Sequence, residues 1–184
     1  SWKTSSTAPI LWLSQSKDRT RFSLKACRLP SLPRVPAAAT TPQARHVLDV
    51  GCGAGNYTLK LLEHIPNLDV TLVDLSQPML ERARARVSQK TTGNVATIQG
   101  DIREIRLENE AFDLIVAAAV LHHLRTDSEW RAVFMAFHRA LRPGGSAWIF
   151  DLIESSVPAI QRLMHKRYGE YLTRLKDEAY RDHV

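Results

Sequence analysis

Cysteine is scarce in this 184-residue chain: Cys27 and Cys52 are the only two, with no CxxC pair and no Cys/His cluster. That pattern argues against both a disulfide framework and a zinc site, and no metal is expected. Long apolar runs are missing too. The longest, Leu114 to Leu121, is strand-sized and falls well short of the roughly 18 residues of a membrane span. No membrane partner is expected, and the location is taken as cytoplasmic. Glycine is absent before Gly51, and acid is nearly absent from residues 1–45, where eight Lys/Arg face Asp18 alone for a net charge of +7. Residues 46–184 carry 17 basic and 18 acidic side chains. The overall +6 and the pI near 9.6 therefore belong to the leader, and the remainder shows no electrostatic footprint for nucleic acid.

The same break appears in other residue types. Five of the nine prolines precede Arg45, and all eight glycines follow it. Residues 1–45 read as a basic, Pro/Ser-rich, disordered leader, because the short apolar pieces Ile10 to Leu13 and Phe22 to Leu24 sustain no period. A plain extension is the favoured reading; an acid-poor, Arg/Ser-rich organelle address is the alternative. Residues 46–184 read as one domain in which strand and helix alternate. Strands are expected at Val47–Val50, Val70–Val73, Val95–Gln99, Phe112–Ala118 and Ser146–Phe150. Helices are expected at Tyr57–Ile65, Pro78–Val87, Trp130–Leu141 and Val157 to about Asp182, the last with Ile160, Leu163, Met164, Tyr171, Leu172 and Leu175 on one face. The run Arg82, Arg84, Arg86 reads as a solvated helix face. Five alternations imply an α/β, Rossmann-like doubly wound and mainly parallel sheet with helices on both faces, and a ligand at the carboxyl ends of its strands.

Chemistry concentrates in Asp49-Val50-Gly51-Cys52-Gly53-Ala54-Gly55, between the first of these strands and the first helix. Glycines there permit a sharp turn and let a ligand approach the backbone, while the following helix points free N–H groups at it. A dinucleotide fingerprint would read GxGxxG/A. Its sixth position is Asn56 counted from Gly51 and Thr58 counted from Gly53, so the spacing is wrong. A carboxylate two residues ahead of the first glycine suits a cationic ligand better than a pyrophosphate.

This segment resembles motif I of the class I S-adenosylmethionine-dependent methyltransferases, of small-molecule type. Five later segments fall where that family places its own. Asp74 closes the second strand of the 46–184 region, 19 residues after Gly55; the resemblance assigns it both ribose hydroxyls. Ser76-Gln77-Pro78-Met79-Leu80 is similar to the loop that follows, with Met79 on the adenine. Gly100-Asp101-Ile102 is similar to the motif whose acid takes the adenine amino group. Ala117 to Leu121 followed by His122-His123-Leu124, and Leu141-Arg142-Pro143-Gly144-Gly145, complete the set over about residues 46–151. The resemblance implies S-adenosyl-L-methionine as cofactor, bound by Asp49, Gly51, Cys52, Gly53, Gly55, Asp74, Leu75, Met79, Asp101, Ile102 and Ala118. Plainer readings stand beside it: Asp49 as a loop acid, Asp74 as a helix cap, Asp101 as a turn acid, Met79 as core, Pro143-Gly144-Gly145 as a simple turn. Cys52 reads as a small loop residue and not a nucleophile. His122 and His123 are the candidates for acceptor-side chemistry, with a loop and helix start as the competing reading.

Methyl transfer from a sulfonium needs mainly alignment, and a base only where the acceptor loses a proton. Ala118-Ala119-Val120-Leu121 occupies the place where amino-methylating nucleic-acid enzymes carry an Asn/Asp-Pro-Pro-aromatic run, so a small-molecule acceptor is expected. The family ends with two further strands, one of them beside the fifth, and these have no counterpart after Phe150. The expectation is therefore an incomplete sheet whose fifth strand has an open apolar edge, liable to self-association. Two other readings stay open: a non-catalytic cofactor-binding or scaffold fragment, and a nicotinamide-dependent oxidoreductase.

Overall fold

A computed structural model describes residues 10–15, 22–27 and 41–151, together with isolated helical positions between 158 and 173. Among the described residues, seven strands form one sheet. In chain order they are β1 (Ile10–Gln15), β2 (Phe22–Cys27), β3 (His46–Val50), β4 (Asp69–Asp74), β5 (Val95–Gln99), β6 (Phe112–Ala118) and β7 (Leu141–Phe150). The helices are α1 (Asn56–Leu62), α2 (Gln77–Val87) and α3 (Asp127–Ala140). The spatial order is β2-β1-β7-β6-β3-β4-β5. The five strands from β3 onward pair in parallel, as expected.

Strand residues alternate between two cores, the signature of a sheet covered on both faces. Val47, Leu72, Leu114 and Trp148 pack with Leu61 and Leu62 of α1 and with Leu80, Ala83 and Val87 of α2. Their neighbours Leu48, Val73, Ile115 and Ile149 pack with Val133, Phe137 and Ala140 of α3. β3 has β4 on one side and β6 on the other. The chain thus leaves β3 at the point where the strand order reverses, the place where doubly wound sheets bind ligands.

Three boundaries moved by three residues or more. α1 stops at Leu62, three residues before the expected end. α3 starts three residues early, because Thr126 caps it: its hydroxyl accepts from Glu129 N, and the Glu129 carboxylate accepts from Thr126 N. Such a reciprocal cap satisfies two otherwise orphaned donors. β7 begins at Leu141, with Arg142 to Gly145 bulged outward between the pairs Phe112–Leu141 and Leu114–Ser146.

The leader requires a correction. Two of its segments are strands of the sheet: β1 runs antiparallel along β7, pairing Ile10 with Phe150 and Ser14 with Ser146, and β2 runs antiparallel along β1. The expected open edge of β7 is closed by this hairpin. A strand edge presents a row of unpaired N–H and C=O groups, and a short β-prone segment that is marginal alone gains its hydrogen bonds by docking there. The rest of the leader and most of the Val157–Asp182 helix lie outside the described residues. Pro158, Ala159, Arg162, Leu163, Lys166, Glu170 and Thr173 are helical, and Leu163, assigned to the apolar face, is 52% exposed.

Candidate functional site

The turn after β3 is built on left-handed glycines: Gly51 at φ 65°, Gly53 at φ 50° and Gly55 at φ 76°. An L-residue in that region costs roughly 1–2 kcal/mol. At Gly51 space is also closed, since a Cβ would collide with Val120 Cγ2, whereas at Gly53 no described residue lies within 4 Å. The first glycine lets the turn pack under the loop that follows β6; the second presents bare backbone to open space. Cys52 N donates to Val73 O at 3.0 Å, and Gly55 N to Cys52 O at 2.8 Å. Arg86 of α2 donates to Ala54 O and to Asn56 Oδ1. Arg86 is therefore a clamp on the turn and not part of a solvated face; Arg82 and Arg84 are exposed, as expected.

Asp74, ending β4, reaches back across this turn. Gly53 N donates to its Oδ2 at 2.8 Å and Ser76 N to its Oδ1 at 2.9 Å. One carboxylate thus ties the glycine turn to the loop after β4. An ionised carboxylate has about four acceptor positions, so each oxygen keeps capacity for another donor. Directly after it Leu75 is 67% exposed and Met79 is 42% exposed. Met79 is accordingly a rim residue, not a core one. Gln99 Nε2 holds the Leu75 carbonyl at 3.1 Å.

Asp49 is buried at the end of β3 and accepts from Thr58 Oγ1 of α1 at 2.6 Å. Burial pushes its carboxyl up to about 7; the hydrogen bond from Thr58 opposes the shift, and the charge of Asp74 adds to it. Cys52 is buried beside both acids, and its thiol is pushed up to about 12, first by burial and then by those charges. A thiol so raised is no nucleophile at neutral pH.

Asp101, beyond β5, has both carboxylate oxygens engaged by Arg103. These bonds hold its carboxyl below the usual range, and Arg103 extends to Glu129 at the start of α3. Ile102 and Ala118 are buried, with Ile102 in the core on the α3 side. After β6 the chain passes through Ala119, a non-glycine residue at φ 54°, into a single helical turn, Leu121–His123. Asp151, the residue after β7, accepts from Val120 N and His122 N at 3.1 Å each and faces His122 Nδ1 at 2.7 Å. Sequence reasoning missed Asp151, although an acid just past the fifth parallel strand mirrors Asp74 at the end of the second. The glycine turn, Asp74, Leu75, Asp101 and the histidine turn all lie at the carboxyl ends of parallel strands. Among the described residues, no group of His, Cys, Asp and Glu could hold a metal ion, and no helix is long and apolar enough to cross a membrane.

A family model described as a methyltransferase domain matches residues 47–145. The chain belongs to that family. The matched stretch of this methyltransferase domain runs from β3 into the bulge of β7. Malonyl-[acyl-carrier protein] O-methyltransferase of Paenibacillus sp. strain JDR-2 is 33% identical over 110 residues, covering 59% of this chain and 38% of that protein. Demethylmenaquinone methyltransferase of Listeria monocytogenes is 28% identical over 121 residues, covering 65% and 50%. The chain spans half or less of the length of these relatives. A structure of an amino pentose methyltransferase from Micromonospora echinaspora with S-adenosylmethionine bound is 31% identical with a TM-score of 0.51, covering 61% of this chain and 45% of that one.

Proposed function

We propose that this methyltransferase domain binds S-adenosyl-L-methionine at the β3 turn and β4 end and passes its methyl group to a small-molecule acceptor. The compound supplies a methyl group on a cationic sulfur, open to direct displacement. The chain's own contribution is to hold and align. The observation that carries the reading is the Asp74 carboxylate, fixed by Gly53 N and Ser76 N and left with acceptor capacity for two vicinal hydroxyls. Beside it, the open face of Gly53 admits the amino-acid end of the ligand to the backbone, and exposed Leu75 and Met79 offer an apolar seat to a purine. Asp49 places a negative charge beneath the cationic end. Cys52, Gly51 and Gly55 shape the turn, and Ile102 and Ala118 back it. Asp101 reaches an exocyclic amine with the lone pairs that Arg103 leaves. Alignment of two reactants can supply roughly 7–11 kcal/mol.

The family match removes the ground for a nicotinamide oxidoreductase, and the hairpin on β7 removes the bare edge that favoured a scaffold fragment. Calorimetry with S-adenosylhomocysteine tests the proposal. Asp74→Asn, which keeps the shape and loses the charge, is expected to weaken binding about 10–100-fold, since each bond to a charged group is worth roughly 1.5–3 kcal/mol. Unchanged affinity in a folded variant would remove Asp74 from the site.

A further inference from the structure

The geometry around His122 says something about the acceptor. Asp151 uses one oxygen, Oδ2, to accept from Val120 N and His122 N, and turns the other, Oδ1, to His122 Nδ1 at 2.7 Å. With both oxygens in accepting positions, the hydrogen of a neutral His122 belongs on Nδ1, because the bond made by one ring nitrogen sets the state of the other. Nε2 is then left with its lone pair, and no described residue donates to it. The ring is partly exposed at 28%, while the acid behind it is 2% exposed. The turn that carries it is strained at Ala119 and is held in place by Ala119 N on Phe150 O as well as by Asp151. Backbone strain of this kind persists only where the surroundings impose it. The turn also abuts the glycine turn through Val120 and Gly51. His123, the other candidate, is exposed and stacks on His122 with ring centroids 4.2 Å apart; no described acid bonds to it, though it acts on Asp101 through its charge. The titratable groups in contact with His122 among the described residues are thus Asp151 and His123.

We propose that His122 is the base that accepts a proton from the methyl acceptor, with Asp151 as its positioning residue, and that the acceptor atom is activated by a weakly acidic hydroxyl of phenol or enol type. The inference rests on the methyltransferase reading above. In the step, an electron pair of the hydroxyl-activated acceptor forms the new bond to the methyl carbon. The bond from that carbon to sulfur breaks, its electron pair stays on sulfur as a neutral thioether, and the hydroxyl proton moves to His122 Nε2. The positive charge passes from sulfur to an imidazolium already facing a carboxylate, so the total charge of the site does not change. An acceptor that is already a carboxylate would have no use for this pair.

The test uses the full chain with S-adenosylhomocysteine and 4-nitrocatechol, whose ionised form has its own absorption band. The bound probe is expected to show that band at a pH where free probe is protonated. His122→Gln should lose it and Asp151→Asn should lose most of it, with S-adenosylhomocysteine affinity retained in both. Independently of any variant, nitrogen-15 NMR of the wild type should place the His122 hydrogen on Nδ1. A bound probe that stays protonated, a probe that does not bind, or a hydrogen found on Nε2 would overturn the inference. If S-adenosylhomocysteine itself fails to bind the wild type, it is the parent reading that falls.

Discussion

Asp49 is a carboxylate enclosed at the end of β3 with Thr58 of α1 facing it. Burial makes its ionised form costly, and Thr58 offsets only part of that cost. Because the folded-state value is raised, the associated stability is complete below the unfolded value of about 4 and is lost as pH rises through about 7. At about 1.4 kcal/mol per pH unit the loss is at most roughly 4 kcal/mol. Chemical denaturation across this window is expected to show stability falling as pH rises, and Asp49→Asn to flatten the slope. A cationic ligand above the acid favours its ionised form. S-adenosylmethionine should therefore bind more tightly as pH rises toward 7 and release a proton on binding, seen as a binding enthalpy that varies with the ionisation enthalpy of the buffer. Enthalpies that coincide in all buffers would uncouple Asp49 from the ligand. Asp49 and Asp74 were equally visible in the sequence as carboxylates near glycines. That one is enclosed and the other faces two amides at a rim depends on Thr58 and Ser76 arriving from different elements.

Among the connections between elements, the glycine turn shows how alike residues serve unlike ends. Gly51 and Gly53 share a positive φ, but a methyl at Gly51 collides with Val120 while one at Gly53 meets no described residue within 4 Å. Gly53→Ala is accordingly expected to cost only the roughly 1–2 kcal/mol of left-handed strain, yet to lose cofactor affinity out of proportion, since its methyl stands where the ligand approaches. Gly51→Ala should lower the melting temperature markedly more. Melting and S-adenosylhomocysteine titration of the two variants side by side check this, and equal melting losses would contradict it. The DxGxGxG spacing was enough to locate the turn. The clamp by Arg86 was not legible, because on its own helix that arginine is one of three alternating cations, and only the packing of α2 against α1 brings it to Ala54.

For the molecule as a whole, the β7 edge of the sheet is covered by β1, with β2 beyond it. Removing residues 1–27 exposes the β7 edge, whose backbone groups then seek another partner. Such a variant is expected to retain S-adenosylhomocysteine binding, because β3 to β6 carry the site, and to associate with increasing concentration in sedimentation experiments. A variant that stays monomeric would show that the hairpin is dispensable as an edge cover.

The five parallel strands, their flanking helices and the motifs between them followed from sequence alone. Each depends on local facts: apolar runs long enough to be buried on both faces, glycines where φ must be positive, acids at strand ends. What joins distant segments was decided only in three dimensions. The docking of Ile10–Gln15 on β7, the pairing of Asp151 with His122 across 29 residues and the capture of Asp101 by an arginine shared with α3 depend on hydrogen-bond partners brought together by the sheet. Their spacing along the chain carries no period, so the sequence by itself leaves no trace of them.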